Sequence, residues 1–332
     1  MGMTADEALD DELSEPRPAP PMPPGDVVVL GAGGKMGPTL VRMLVRGGGN
    51  GRRIIAVSRF SDVRARRSIE QAGAVTLAAD LLDPDQVAGL PDAPNIIFMA
   101  GQKFGTTGQE ARTWTINTFA PGLAAHRYRA ARIVAFSTGN VYPLWPAASE
   151  GPTESDPVAP VGEYAQSALA RERILTDASH RYGTRLAILR LNYATEPRYG
   201  VLRDIADRVR AGRPVDLTMG WVNVIWQRDA NAAALQALGH CATPPLVLNL
   251  TGPKVQVRDI ATRFAAHWGV TPTFSEAEAP TALLSNPARA TSLFGPPPTG
   301  LAAQIARIAR WIDDGGGDLG KPTRFEEREG RF

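Results

Sequence analysis

The 332-residue chain lacks much that would narrow its function at once. Cys241 is its single cysteine, which excludes a disulfide framework and a cysteine-based metal site. The four histidines are spread far apart, so no metal site is expected. No apolar run approaches the length of a membrane span, and the acidic N-terminus lacks the basic and apolar regions of a signal peptide. A soluble cytoplasmic protein with no membrane partner is the expectation. Charge of one sign is also missing. The formal net charge is +2, and no basic cluster exceeds Arg64-Ala65-Arg66-Arg67, so no nucleic-acid partner is expected. Lysine is scarce: of 36 basic residues only Lys35, Lys103, Lys254 and Lys321 are lysines, which makes each worth placing.

The chain does have a 43% hydrophobic content, laid out as short apolar runs between helical patterns. Strands are expected at 26–31, 53–58, 74–78, 95–100, 131–137, 185–191 and near 245–250. Helices are expected at 34–47, 61–72, 83–89, 108–129, 161–182, 198–211, 227–239, 256–268 and 300–313. Strands separated by helices imply parallel pairing through right-handed crossovers, hence a doubly wound α/β sheet of Rossmann type. Residues 26–195 are expected to form the dinucleotide-binding domain. Residues 196–313 mainly form a smaller C-terminal cap over the carboxyl edge, with a segment near 221–250 returning to the sheet. Residues 1–25, acidic and then proline-rich, and the glycine-broken 314–332 read as tails without a packed core.

The most informative stretch is Asp26-Val27-Val28-Val29-Leu30 followed by Gly31-Ala32-Gly33-Gly34-Lys35-Met36-Gly37. One glycine makes a tight turn, the next lets a pyrophosphate approach the backbone, and the third lets helix pack on strand. The helix N-terminus beyond offers free N–H groups to the phosphates. Gly31, Gly33 or Gly34, Lys35, Met36 and Gly37 are therefore assigned to a dinucleotide. The second strand ends in Ser58-Arg59 with no acid to accept a ribose 2′-hydroxyl, which favours NADP over NAD. Asp80-Leu81 follow the third strand, where an acid accepts from an adenine amine or caps a helix. Ala100-Gly101 end the fourth, small enough for a ribose to lie on the backbone. Strand five delivers Ser137-Thr138-Gly139-Asn140-Val141-Tyr142 to the carboxyl edge, where hydroxyls meet a substrate oxygen or satisfy turns. Tyr164 sits on the first turn of the following helix.

With Asn117, these motifs in this order resemble the extended short-chain dehydrogenases/reductases of the NAD(P)-dependent sugar-nucleotide epimerase/dehydratase type. The resemblance covers about residues 26–312, including Leu248-Asn249-Leu250-Thr251-Gly252 and Ala290–Gly295. It implies a sugar or sugar-nucleotide substrate and hydride transfer to or from a nicotinamide. Thr138 would bind the substrate oxygen and Tyr164 would exchange its proton. Asn117 completes the catalytic set, and Tyr164 and Asn192 also face the cofactor. The family's lysine four residues after the tyrosine is Ala168 here. Four residues return to the same helix face, so the geometry is kept and the charge is missing. Lys103 and Arg171 are candidate replacements, and Lys103 or Glu163 would be the acid/base if Tyr164 were not. Ser137, Asn140, Arg190 and Trp226 are candidate substrate contacts. The alternative function is a catalytically impaired NADP-binding regulator. A homodimer paired through 108–129 and 161–182 is a further implication of the family.

Overall fold

Val27–Leu30 has no polar face, so it is stable as a strand only with both faces covered. The computed structural model, which describes residues 4–17, 22–47, 51–103, 105, 107–321 and 323–331, places it at the centre of a sheet. In chain order the strands are β1 (Val27–Leu30), β2 (Ile54–Ser58), β3 (Val75–Ala78), β4 (Asn95–Phe98), β5 (Arg132–Thr138), β6 (Arg185–Leu191) and β7 (Leu246–Leu250). All seven run parallel in the order β7-β6-β5-β4-β1-β2-β3. Val28 of β1 lies opposite Ile55 of β2 and Ile96 of β4. Strand order reverses at β1, leaving a crevice at the carboxyl ends of β1 and β4 where ligands of such sheets bind.

Helix α1 (Ala5–Leu13) precedes the sheet. Then come α2 (Gly37–Arg46), α3 (Val63–Gln71), α4 (Pro84–Ala88), α5 (Glu110–Trp114), α6 (Ala120–Arg127) and α7 (Glu163–Tyr182). The last five are α8 (Val201–Arg210), α9 (Gln227–Ala237), α10 (Val257–Trp268), α11 (Ala288–Phe294) and α12 (Leu301–Asp313). Leu40, Val41 and Leu44 of α2 join alanines of α9 on one face of the sheet. Ala120 and Ala124 of α6 with Leu175 and Ala178 of α7 cover the other. A separate core is built by Ile205 and Val209 of α8, Ile260 and Phe264 of α10, and Ile308 of α12.

Three expectations are corrected here. Residues 1–25 are not a tail without a core: α1 opens with a capping box between Thr4 and Glu7, and Leu9 and Leu13 bury into the second core. Its acids meet arginines of the body. Asp11 pairs with Arg42 and Arg46, Asp6 and Asp10 with Arg198, and Glu12 with Arg307. Part-exposed pairs contribute at most about 1 kcal/mol each, so the two leucines carry the docking, at roughly 1.5–3 kcal/mol apiece. Residues 18–21 lie outside the described set. The segment after α12 is not a tail either. Phe325 is 1% exposed in the second core, and Arg328 donates to the Thr281 carbonyl and hydroxyl. The helix expected over 108–129 is interrupted by a π-helical turn at Thr115–Phe119, between α5 and α6.

Candidate active site

At the carboxyl edge a cleft of about 380 Å³ runs from the glycine turn to Tyr164. Gly31 holds a φ of +88°, and a Cβ there would come within 2.6 Å of the Ala100 nitrogen. Gly37 is more tightly placed, its imagined Cβ 2.1 Å from the Ala32 carbonyl oxygen. Gly33 backs onto Ser58, whose Oγ would lie 2.6 Å from its Cβ. Gly34 is different: it is exposed, has an ordinary φ, and its nearest neighbour would be 3.4 Å away. The fold thus requires glycine at 31 and 37, whereas at 34 it leaves room for a side chain. No side chain caps α2, but the expected row of free N–H groups is short: the Gly37 N–H donates to the Gly34 carbonyl at 3.0 Å and Pro38 has none. The fit to a dinucleotide pyrophosphate is good, with Lys35 beside it. Lys35 Nζ stands 3.9 Å over the Tyr199 ring and donates to the Ala194 carbonyl at 3.4 Å. Burial presses its pKa down to about 7, against the pull of Glu196.

The opposite end is organised by α7. Tyr164 and Thr138 both line the cleft, and the Thr138 hydroxyl is near enough to favour the ionised phenol. The Thr138 hydroxyl also donates to Asn140 Oδ1 at 2.9 Å and accepts from the Asn140 N–H at 3.2 Å. Ala168, one turn beyond Tyr164, is buried against Val141 and Tyr142, so no cation stands at that position. Arg171, two turns on, is buried rather than solvated. Its Nη1 donates to the Phe136 carbonyl at 2.9 Å, its Nη2 to Asn117 Oδ1 at 2.6 Å and its Nε to the Asn117 carbonyl at 3.3 Å. The π-helical turn sets Asn117 facing inward, fully buried, with its amide donating to Gln102 O and Ser167 Oγ. Asn117 Oδ1 also accepts the Gln102 N–H at 2.9 Å, tying the loop after β4 to α7. Burial pushes the Tyr164 phenol above its usual pKa, and the Thr138 hydroxyl and the Arg171 charge draw it back only partly.

Lys103, on that loop, stands 5.9 Å over the Tyr164 ring and 5.5 Å over the Tyr193 ring. Burial lowers its pKa to about 8, with Asp204 pulling the other way. Tyr193 adopts a φ of +47°, a conformation that costs a non-glycine residue about 1–3 kcal/mol and that tends to persist at functional sites. It reaches the cleft with Asn192, Tyr199 and Gly200 from the chain leaving β6.

Of the residues singled out in the sequence, Gly31, Gly34, Lys35, Met36, Gly37, Gly101, Lys103, Ser137, Thr138, Asn140, Tyr164, Arg171 and Asn192 line this cleft together. Others do not. Trp226, expected at the substrate, is fully buried in the second core. Arg190, likewise expected there, is buried in a bidentate pair with Glu172 and donates to the Tyr142 hydroxyl. Ser137 reaches the cleft, but its hydroxyl is held by Glu172 at 2.5 Å. Asn117 acts from behind the wall, through Arg171 and Gln102. Ala100 backs the glycine turn, and Leu81 is buried in the core beneath β3. Asp80 accepts the Leu82 N–H at 3.0 Å, and Arg59 projects, exposed, beyond β2. Sequence reasoning missed Lys321 and Thr323, which complete the cleft from beyond α12. The scarcity of lysine was the one available signal, and it pointed at Lys321 without placing it. Among the described residues no acidic or histidine cluster could hold a metal ion, and no helix is long and apolar enough to cross a membrane.

Comparison with known proteins agrees with this geometry. No curated protein matches the chain. Among solved structures, MoeE5 in complex with UDP-glucose and NAD superposes with a TM-score of 0.70 at 21% identity, covering 88% of this chain and 99% of that one. The UDP-glucose 4-epimerase of Thermotoga maritima gives 0.73 at 16% identity, with coverage of 87% and 99%. The UDP-glucuronic acid 4-epimerase of Bacillus cereus in complex with NAD gives 0.71 at 15% identity, again covering 87% and 99%. Such likeness establishes a shared fold. The family model described as the NAD dependent epimerase/dehydratase family matches residues 27–249, from β1 to the end of the sheet. This chain belongs to the NAD-dependent epimerase/dehydratase family.

Proposed function

We propose that the protein is an NAD(P)-dependent epimerase, dehydratase or reductase acting on a hydroxyl of a sugar nucleotide. The observation that carries this reading is the placing of Thr138 and Tyr164 in the wall of one cleft with the glycine turn. Structural neighbours were solved with UDP-glucose or UDP-glucuronic acid and NAD, which supports the same substrate class here. The nicotinamide, when bound, supplies the hydride acceptor or donor that no side chain in the cleft provides. Gly31, Gly34, Lys35, Met36 and Gly37 hold the pyrophosphate, Ala100 and Gly101 back a ribose, and Tyr164 and Asn192 flank the nicotinamide end. Asp80, just beyond β3, borders the adenine. Thr138 and Asn140 orient the sugar oxygen, and Tyr164 takes up or returns its proton. Arg171, clamped by Asn117, and Lys103 supply positive charge that Ala168 cannot. Incubation with UDP-glucose, UDP-galactose or UDP-glucuronic acid plus either cofactor is expected to give a new sugar by NMR; unchanged sugars across the panel would oppose the reading.

Lys103 carries a pH signature. Its ammonium is lost as pH rises through about 8, so kcat/KM is expected to fall above that value. A Lys103→Met variant should lose that limb of the profile; an unaltered profile would remove Lys103 from the proton chemistry.

NADP is the favoured cofactor. Its support is the exposed Arg59 and the absence of an acid at the end of β2. Arg59→Ala is expected to weaken NADPH binding about tenfold, the scale of one charge-assisted hydrogen bond, and to leave NADH unchanged. Equal loss for both in a fluorescence titration would contradict the assignment. The upward shift of the Tyr164 phenol favours a second reading, a cofactor-binding regulator with little turnover. The exposed Phe119 and Tyr182, on the π turn and α7, support pairing of two copies through that face.

A further inference from the structure

After α12 the chain runs back over the second core. The Arg203 Nη1 donates to the Gly317 carbonyl at 3.2 Å, and the Leu319 N–H to the Arg198 carbonyl at 3.0 Å. The Thr323 N–H and hydroxyl both donate to the Asp204 carboxylate, at 2.8 and 2.5 Å. Phe325 is buried, Glu326 pairs with Arg208, and Gly330 packs against Gly162, immediately before α7. The segment is a built strap that ends beside the helix carrying Tyr164.

The strap brings Lys321 and Thr323 into the wall of the cleft. Three of the chain's four lysines, Lys35, Lys103 and Lys321, therefore face one cleft, along with Arg171, and none of the described lining residues is acidic. Lys321 also borders a neighbouring cavity of about 230 Å³, which shares Tyr199 with the first and is lined by Arg213 and Arg324 as well as by the acids Asp204, Asp207, Asp318 and Glu326. Among the described residues none of Lys321, Arg213 and Arg324 has an acidic partner. Lys35 is committed to the glycine-turn end by Tyr199 and Ala194. Lys321 repels Lys35 across the opening, a cost that an anion between them would remove.

We infer that the strap is the outer wall of the substrate half of the cleft and that its Lys321 binds a phosphoryl or carboxylate group of the substrate. The inference rests on reading the cleft as a cofactor-and-sugar site. Lys321 then sets specificity and does no proton chemistry: it admits anionic sugars and gives neutral ones no hold. The same chemistry could come from the pyrophosphate of the cofactor, and the experiment separates the two sources. Affinities for NADH and NADPH are measured by fluorescence for the wild type and Lys321→Met. Affinities for UDP-glucose, glucose 6-phosphate, glucuronic acid and glucose are then measured calorimetrically on both proteins, loaded with the tighter-binding cofactor. The expected result is binding of at least one anionic compound and none of glucose, a loss of about tenfold in Lys321→Met, and cofactor affinity unchanged within twofold. A loss confined to the cofactor, anion binding that survives the substitution, glucose binding as tightly as the anions, or no binding of any anion would each overturn the inference. Failure of the wild type to bind either cofactor would instead strike the reading of the cleft beneath it. Because Lys321 is exposed, the substitution leaves the core intact.

Discussion

Tyr164→Phe is expected to lower kcat by about 10²- to 10⁴-fold while leaving cofactor affinity unchanged, the range that a positioned proton donor contributes. The substitution removes one hydroxyl and keeps the ring, so the ring faces that Lys103 approaches survive. What disappears is the group able to exchange a proton with a sugar oxygen. Steady-state rates with fluorescence titration of the reduced cofactor separate the two effects. Full activity in Tyr164→Phe would move the acid/base role to Lys103 or Glu163. The surroundings make the first outcome the expected one. Arg171 has its guanidinium fixed by three hydrogen bonds from β5 and the π turn, an arrangement with no purpose on a solvated helix face. From there its permanent charge acts on the Tyr164 phenol.

The second large effect concerns two glycines three residues apart. Gly37→Ala would force a Cβ to within 2.1 Å of the Ala32 carbonyl, which is backbone and cannot rotate away. Overpacking of this kind costs about 1–3 kcal/mol, and the displaced turn should lower turnover by roughly 10²-fold. Gly34→Ala meets nothing closer than 3.4 Å and should fold with unchanged stability. It should nevertheless lose cofactor affinity, because its methyl projects into the open side of the turn. Thermal unfolding and cofactor titration of the two variants test the contrast. Equal stability losses, or undiminished cofactor binding in Gly34→Ala, would show that the turn does not hold the pyrophosphate.

The central strands were legible because each is an apolar run covered on both faces, a pattern that needs no knowledge of partners; β3, at the sheet edge, keeps Val75 exposed. The helices were legible for a similar reason, except where the π turn re-aims Asn117, since one extra residue in a turn leaves no mark on hydrophobic spacing. The two ends were misread for a common cause. The acids of α1 look solvated in sequence, and their partners Arg42, Arg198 and Arg307 lie up to 295 residues away. Leu9 and Leu13 alone, among so many acids, give too thin an apolar stripe to announce a docked helix. Beyond α12, Phe325 and Thr323 pack into sites assembled from α8 and the second core, and glycines obscure the segment locally. Trp226 and Arg190 were misassigned because an aromatic or an arginine near a strand end serves a core as readily as a ligand. The cleft's two ends could be named from local motifs. Its outer wall could not.

In the proposed reaction Tyr164, as its phenolate and without the usual lysine, removes a proton from a sugar hydroxyl as hydride leaves the carbon that bears it. The most direct measurement is single-turnover absorbance at about 340 nm, where a nicotinamide reports its reduction. Cofactor-loaded protein is mixed with excess UDP-sugar, for wild type and Tyr164→Phe. The expected result is a transient or lasting rise in the wild type that is slowed at least about a hundredfold in the variant. Tight cofactor binding with no absorbance change for any sugar nucleotide would contradict it and make this cleft a sensor.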